Sequence, residues 1–337
     1  MASTDLPMVG VTAYAPASIG NFAAGFDLLG AALAPLDGSL LGDLVHAAPA
    51  AETSFQLEGP FAGALAEDTR PNLAQRAADL FQEALKAKGR PVGPFALRLE
   101  KRLPVASGLG SSASSIVATL AALQALCGDP LSVTELLDLA GRAEGSTSGG
   151  IHLDNVAPSL LGGLQLTVPG RDGKPAARRL PWPTDLLLVV AHPDYRLATA
   201  QSRAALPERP AWNETVAFAG NLAGFVHALH TDDRALLGRC LRDPLVEAHR
   251  APLVPGFRAA QAGALAAGAL GCTLSGSGPS VFAVAGDEVD AGTVAAALQG
   301  GFAQAGLPSR AWICTLDLEG ARILSPVPRH PLFEAHP

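Results

Sequence analysis

The sequence predicts an α+β fold in two domains, built from mixed and antiparallel sheets with helices. Strand-like and helix-like segments alternate irregularly, without the regular strand–helix repeat of a parallel sheet. Residues 95–100 alternate apolar and polar side chains, which is typical of a half-buried antiparallel strand. Because 337 residues can bury more than one core, we predict two domains, 1–170 and 171–337.

In the first domain, apolar spacing and end signals predict the helices. Residues 72–88 place their leucines and phenylalanine on one face, and Gly89 ends the helix. Ser132 and Glu135 have the spacing of a capping box, which opens a helix at Val133. The predicted elements are strands at 11–15, 40–45, 95–100 and 164–168, and helices at 72–88, 113–127 and 133–144.

The second domain continues this irregular order after a polar segment at 169–175, which is predicted to be a hairpin tip or the domain seam. A run of six apolar residues at 186–191 predicts a strand. A Pro-rich tail from about residue 325 is predicted to be unpacked. The remaining predicted elements are helices at 212–229, 234–241 and 257–267, and strands at 272–274, 281–285 and 312–316.

Composition argues against several classes of protein. A formal net charge of −7, with no basic cluster beyond Arg178 and Arg179, argues against nucleic-acid binding. The four cysteines are widely spaced among apolar residues, which predicts reduced core thiols in a cytoplasmic protein. The first residues lack the basic and apolar regions of a signal peptide. Glycine and serine interrupt the two long uncharged stretches, 103–128 and 262–286, so we expect no membrane span.

The segment 103–115 has the composition of a phosphate-binding loop. Gly108 and Gly110 allow a left-handed backbone and close approach to a ligand. An uncharged helix follows, and Ser111 or Ser112 could cap it. Because a helix N-terminus presents free N–H groups and the positive end of its dipole, the segment predicts an anion site.

Other loops with similar glycines fit less well. A Walker A loop requires a lysine after its last glycine, and this segment has none. A dinucleotide fold is disfavoured because the preceding strand alternates and Asp129 lies in a Gly-Asp-Pro turn. Protein kinases are excluded because the His-Arg-Asp and Asp-Phe-Gly segments are missing.

Two acidic positions are unusual in their surroundings. Asp27 lies with Asn21 in a segment of small and apolar residues, where a carboxylate needs either a partner or a capped turn. Glu144 ends a predicted helix, where the dipole is unfavourable for an acid. Either a bound cation or exposure to solvent would explain why an acid stands at this helix end.

Two arginines and a second glycine loop complete the candidate site. Arg203 and Arg250 are far apart in sequence, and each alone is compatible with a solvated surface charge. If they converge, their guanidinium groups could bind a substrate carboxylate. The glycine loop at 274–280, between two predicted strands, is either a tight turn or a cover for the phosphates.

Taken together, these segments resemble the GHMP kinase family (galacto-, homoserine, mevalonate and phosphomevalonate kinases). The loop Pro104-x-x-x-Gly-Leu-Gly-Ser-Ser-Ala113 resembles the phosphate motif of that family, and Ser275-Gly-Ser-Gly-Pro279 resembles its third motif. Within the family, four segments resemble the homoserine kinases, namely 14–27, 151–158, 199–203 and 250–257.

This resemblance implies phosphorylation of the γ-hydroxyl of L-homoserine in threonine biosynthesis, in a cleft between two domains. It implies ATP and Mg²⁺ as cofactors, ATP and L-homoserine as small-molecule partners, and no nucleic-acid or membrane partner. A homodimer is left open. The loop implied to wrap the triphosphate consists of Pro104, Val105, Ala106, Ser107, Gly108, Leu109, Gly110, Ser111, Ser112, Ala113 and Ser114.

The resemblance also implies roles for single residues. Glu144 and Ser112 (or Ser111) would hold magnesium, and Asn72 would lie near the adenine. Thr199 would contact the phosphate or metal region. The groups implied to receive the amino end, hydroxyl and carboxylate of homoserine are Asn21, Asp27, Asn155, Arg203 and Arg250. We expect Asp27 to bind the ammonium group rather than act as a base, since phosphoryl transfer depends mainly on positioning and charge neutralisation.

Two other functions remain open at this point. A GHMP kinase that acts on mevalonate or a sugar would have no use for an acid beside two arginines, because those substrates lack an ammonium group. A non-catalytic sensor of ATP or an amino acid would be favoured by a degenerate loop or a missing metal acid, and neither is seen.

Overall fold

A computed structural model describes residues 10–66, 72–148, 150–170, 173–286 and 291–324. The predicted tail from about residue 325 lies outside them. The strands are β1 Val11–Pro16, β2 Ser18–Gly20, β3 Leu29–Pro35, β4 Gly42–Pro49, β5 Ser54–Glu58, β6 Phe95–Glu100, β7 Leu164–Pro169, β8 Pro175–Leu180, β9 Leu187–Pro193, β10 Gly271–Leu274, β11 Val281–Ala285, β12 Ser309–Leu316 and β13 Arg322–Ile323.

The helices are α1 Gly63–Ala66, α2 Leu73–Ala87, α3 Ser111–Leu126, α4 Val133–Ser148, α5 Val156–Leu161, α6 Thr199–Ala204, α7 Trp212–Thr231, α8 Arg234–Cys240, α9 Glu247–Arg250, α10 Phe257–Ala266 and α11 Ala291–Gln304. A 3₁₀ turn, Ala251–Leu253, follows α9.

A five-stranded sheet has the order β13-β1-β4-β6-β5. Its pairings are antiparallel except for the parallel pair β5–β6. The apolar face packs against α2, α3 and α4. Since β6 runs directly into the glycine loop and α3 follows it, the loop lies at the carboxyl end of β6.

The second sheet has the order β10-β11-β9-β12-β3-β7-β8, and β2 pairs with β3 beside it. All of its described pairings are antiparallel. Both faces are buried at β9, because Leu188 and Val190 belong to one apolar core while Val189 and Ala191 belong to another. The six-residue apolar run predicted this strand correctly.

The predicted α+β class with mixed and antiparallel sheets is confirmed. The two sheets exchange strands from opposite ends of the chain: β3 joins the second sheet, and β13 joins the first. The domain boundary near residue 170 stays a prediction. No described helix is long and apolar enough to cross a membrane, and all four cysteines are free and buried, as predicted.

Candidate functional site

The two glycine loops pack directly against each other. The Ser275 hydroxyl donates to the Gly108 carbonyl at 2.6 Å, and the Ser280 N–H donates to the Ser107 carbonyl at 3.1 Å. Gly108 has φ of 78°, and a Cβ there would lie 2.4 Å from the Ser275 carbonyl oxygen. Any larger residue would therefore separate the loops.

The first loop ends at an uncapped helix. Gly110 is the N-cap of α3, with φ of 64° and no side-chain capping bond. The serine cap expected from the sequence is therefore not formed, because the helix begins at Ser111 and includes both candidate serines. Within the described residues, the first N–H groups of α3 have no side-chain acceptor, which is the arrangement that binds anions.

The segment between β2 and β3 is held in a strained shape. Asn21, Ala23 and Asp27 all have φ between 52° and 56°, a region that costs roughly 1–2 kcal/mol for residues other than glycine. The Asn21 N–H donates to Asp154 Oδ2 at 2.9 Å, and the Asp27 N–H donates to Asn21 Oδ1 at 2.8 Å. Asp154 is 3% exposed, so a buried carboxylate fixes this turn.

Asp27 and Arg203 form a bidentate ion pair. Arg203 Nη1 and Nη2 donate to Asp27 Oδ2 and Oδ1 at 3.1 and 2.9 Å. His152 Nδ1 lies 3.4 Å from Asp27 Oδ1. Burial lowers the pKa of His152 from its usual value, while the Asp27 charge opposes that shift. Asp27 and Arg203, predicted from distant segments, therefore meet His152 in the cleft.

Arg250 is buried and has no carboxylate partner within 4 Å among the described residues. Its Nη1 donates to the Gly276 carbonyl at 3.1 Å, and its Nε has no hydrogen-bond partner in the part of the chain that the structure describes. The guanidinium carbons of Arg250 and Arg203 lie 5.1 and 5.4 Å from the ring centre of Phe26. Burial, together with the charge of Arg203, lowers the pKa of Arg250 to about 10.

Glu144 lies in the last turns of α4 and lines the same cleft as these arginines. Burial raises its pKa to about 7, the negative charge of Asp154 adds to that rise, and Lys101 opposes it. Burial, followed by the charge of Asp27, raises the pKa of Asp154 to about 6. Two partly desolvated carboxylates therefore face the same space, where a cation would neutralise them.

These groups surround a cleft with an open volume of about 730 Å³. The described residues that line it are Asn21, Asp27, Ala106, Ser107, Gly108, Gly110, Ser111, Ser112, Glu144, His152, Asp154, Asn155, Thr199, Arg203, Arg250, Gly276 and Ser277.

Some residues singled out from the sequence lie outside this lining. Asn72 is the N-cap of α2 and accepts the N–H of Ala74 at 2.9 Å, so its place near an adenine stays a prediction. Ser114 is buried and donates to the Ala15 carbonyl at 2.7 Å. The other loop residues absent from the lining are Pro104, Val105, Leu109 and Ala113.

Sequence reasoning missed three residues of the site. Asp154 directly precedes the predicted Asn155, and its place in a segment that resembles the homoserine kinases was the available signal. His152 belongs to the same segment. Phe26 lies beside Asp27, but its contact with two arginines depends on elements more than 170 residues away.

The raised pKa of Asp154 predicts a change in stability with pH. Because its folded pKa of about 6 exceeds the ordinary 3.8, the ionised group destabilises the protein above pH 6, by up to about 3 kcal/mol. This cost disappears as the pH falls toward 4. Asp154→Asn should therefore raise the melting temperature by a few degrees at pH 8 and by much less at pH 4.5.

Differential scanning calorimetry at both pH values measures this difference, with exposed Asp79→Asn as the control. A lower melting temperature of Asp154→Asn at pH 8 would mean that the bond to the Asn21 N–H outweighs the cost of burial.

Comparisons with known proteins agree with this geometry. Residues 72–163 match the family described as GHMP kinases N terminal domain, and residues 225–304 match GHMP kinases C terminal. The chain is similar to the crystal structure of homoserine kinase from Cytophaga hutchinsonii, with 33% identity, 96% of this chain and 100% of that chain covered, and a TM-score of 0.84.

Two more distant structures share the fold. Mevalonate kinase of L. major in complex with R-mevalonate is 18% identical, with 89% of this chain and 94% of that chain covered and a TM-score of 0.65. Lactococcus lactis galactokinase complexed with galactose is 16% identical, with coverages of 93% and 95% and a TM-score of 0.64.

Proposed function

Since the chain belongs to the GHMP kinase family, we propose that it transfers the γ-phosphoryl group of ATP to the γ-hydroxyl of L-homoserine. The single observation that carries the choice of acceptor is Arg250. A buried guanidinium without a carboxylate partner is costly, and an anion bound in the cleft would relieve that cost. The α-carboxylate of an amino acid supplies such an anion.

The Asp27–Arg203 pair supports a zwitterionic acceptor. Its two charges lie within 3.1 Å of each other, beside Arg250. An amino acid carries one positive and one negative group. Its ammonium group can therefore form an ion pair with Asp27, while its carboxylate forms ion pairs with Arg250 and Arg203. Mevalonate and galactose have no ammonium group to replace Arg203 at Asp27.

The N-terminus of α3 fits a phosphate chain. Its first N–H groups have no side-chain acceptor, and Gly108 and Gly110 allow the backbone to approach a ligand closely. ATP would therefore bind with its phosphates along the first loop. The second loop, Ser275 to Ser280, packs against the first loop and would border the bound phosphates on one side.

The cleft also fits a magnesium ion bound mainly by phosphates and water, which needs only one or two protein oxygens. Glu144 supplies a carboxylate. Ser111 is engaged, because its hydroxyl donates to the Leu103 carbonyl at 3.3 Å and its carbonyl accepts from Lys101. The Ser112 hydroxyl makes no hydrogen bond within the described residues, so we assign the serine ligand to Ser112. The ion would neutralise charge that develops on the phosphates.

In the proposed reaction, the γ-oxygen of homoserine forms a bond to the γ-phosphorus of ATP while the bond from that phosphorus to the ADP oxygen breaks. The hydroxyl proton is released to solvent. Asp27, Arg203 and Arg250 hold the acceptor, with Asn21 and Asn155 beside its hydroxyl. Thr199 contacts Ser277 of the second loop, at 3.4 Å between hydroxyl oxygens, and so lies on the phosphate side. Because the transition state is loose, this positioning supplies most of the catalysis.

The test is ADP release from magnesium-ATP with L-homoserine, L-threonine, L-serine, mevalonate and galactose. Activity confined mainly to homoserine supports the proposal. Activity with mevalonate or galactose would assign the chain to another GHMP kinase. Tight ATP binding without turnover of any acceptor would indicate a sensor.

Asp27→Asn should raise the KM for homoserine about 10- to 100-fold, because it removes one hydrogen bond between charged groups. The kcat should fall less, since Asp27 is proposed to bind the ammonium group and not to remove a proton. Steady-state kinetics measures both constants, with Asp37→Asn at an exposed turn as the control. An unchanged KM with a much lower kcat would instead make Asp27 the base.

A further inference from the structure

An ion pair is buried directly beneath the phosphate loop. Lys101 follows β6 and is 2% exposed, and Asp43 of β4 is fully buried. Lys101 Nζ donates to Asp43 Oδ2 at 2.5 Å. Neither residue lines the cleft, and neither carries a role in the function proposed above.

The pair contacts both ends of the loop. On the entry side, Asp43 Oδ1 accepts the N–H groups of Arg102 and Leu103 at 2.8 and 3.0 Å. On the exit side, Lys101 Nζ donates to the Ser111 carbonyl at 2.7 Å. The backbone therefore leaves this pair at residue 103 and returns to it at residue 111.

Ser115 joins the two charges from the next turn of α3. Its hydroxyl accepts from Lys101 Nζ at 2.8 Å and donates to Asp43 Oδ2 at 2.7 Å. Stability alone does not account for such a pair, because apolar residues of similar size are often as stabilising as a buried ion pair. Fully bonded buried networks instead fix one geometry.

We propose that Lys101 is a positioning residue for ATP: paired with Asp43, it clamps the two ends of the phosphate loop and fixes the direction of the first N–H groups of α3. The inference rests on the proposed function only as far as ATP binding. It predicts weaker ATP binding when the clamp is loosened, with little change in the binding of the acceptor, which contacts other elements.

The test uses two variants. The paired variant Asp43→Asn with Lys101→Met removes both charges, while the new amide oxygen can still accept the N–H groups of Arg102 and Leu103. Its Kd for ATP, measured by titration calorimetry, should rise at least about tenfold, and its KM for homoserine should change less than about twofold. Ser115→Ala, a smaller change that keeps the ion pair, should raise the Kd for ATP about three- to tenfold.

Thr119→Val is the matched control, because Thr119 is a buried hydroxyl in the same helix that donates to the Ser115 carbonyl at 2.8 Å and does not touch Lys101. A folded paired variant or Ser115→Ala that binds ATP within twofold of the unaltered protein would overturn the inference. An equal loss of ATP affinity in Thr119→Val would also overturn it, because the effect would then come from general destabilisation of α3.

The outcomes separate this inference from the proposed function. If the unaltered protein binds ATP but does not phosphorylate homoserine, the proposal that homoserine is the acceptor is wrong. The ATP-binding measurements would still support or overturn the role of Lys101 and Asp43. An unaltered protein that does not bind ATP would overturn both.

Discussion

Glu144→Gln should lower kcat about 100- to 1,000-fold. This substitution keeps the size of the side chain and removes the carboxylate that we propose for magnesium. A metal ion contributes several kcal/mol to a phosphoryl-transfer transition state, and about 1.4 kcal/mol corresponds to a factor of ten. The KM for homoserine should change little, because Glu144 is not one of the three charged groups that we propose to bind it.

Steady-state kinetics at several magnesium concentrations measures this effect, and higher magnesium should restore part of the activity. Glu135→Gln is the control, because Glu135 lies on the same helix, does not line the cleft, and belongs to a capping box that glutamine can maintain. The ion pair with Lys88 that it loses is remote from the candidate site. A kcat within threefold of the unaltered enzyme would show that Glu144 does not hold the metal.

Arg250→Met should lower kcat/KM for homoserine about 30- to 5,000-fold, the range expected when one partner of a buried charge pair is removed. The loss should come from the α-carboxylate. An acceptor without a carboxylate, 3-amino-1-propanol, should therefore be used equally poorly by both enzymes. The free protein should not lose stability, since the substitution removes a buried charge that has no carboxylate partner within 4 Å among the described residues.

Kinetics with both acceptors and a thermal melt of the free protein test this prediction, with exposed Arg239→Met as the control. An effect on kcat/KM below threefold would mean that the acceptor carboxylate does not reach Arg250. A large fall in melting temperature would mean that its bond to the Gly276 carbonyl holds the second glycine loop.

Local sequence signals predicted the elements that carry clear periodicity or end signals. The capping box at Ser132 and the apolar run at 186–191 both correspond to observed elements. By contrast, β3 consists of small apolar residues without alternation, and α11 is rich in alanine and glycine with no charged face. Whether such a segment forms a strand or a helix is decided by its tertiary packing, and the local sequence pattern contains no signal for that packing.

The candidate site was predictable where a motif or an isolated charge marked it. Asp27, Glu144, Arg203 and Arg250 were identified in this way, and they converge on one cleft. Their pairing was not predictable, because the ion pair between Asp27 and Arg203 joins residues 176 positions apart.

Asp43 and Lys101 were missed, although Asp43 is a single acid in the apolar strand 40–45. Like Asp27, such a carboxylate needs a partner among apolar neighbours. The sequence could not name the partner that neutralises it. Our proposal of Ser112 rather than Ser111 as the magnesium ligand also required the structure, because it rests on the hydrogen bond from the Ser111 hydroxyl to the Leu103 carbonyl.

The exchange of strands between the two sheets has a consequence for synthesis of the protein. β3 ends at Pro35, whereas its neighbour β12 begins only at Ser309, so β12 is synthesised much later. Likewise, β1 receives β13 from the last described residues. Until then both strands expose unpaired backbone edges that can associate with other chains. Both sheets therefore stay incomplete until β12 and β13 have been synthesised, and during this interval the nascent chain most needs protection from aggregation.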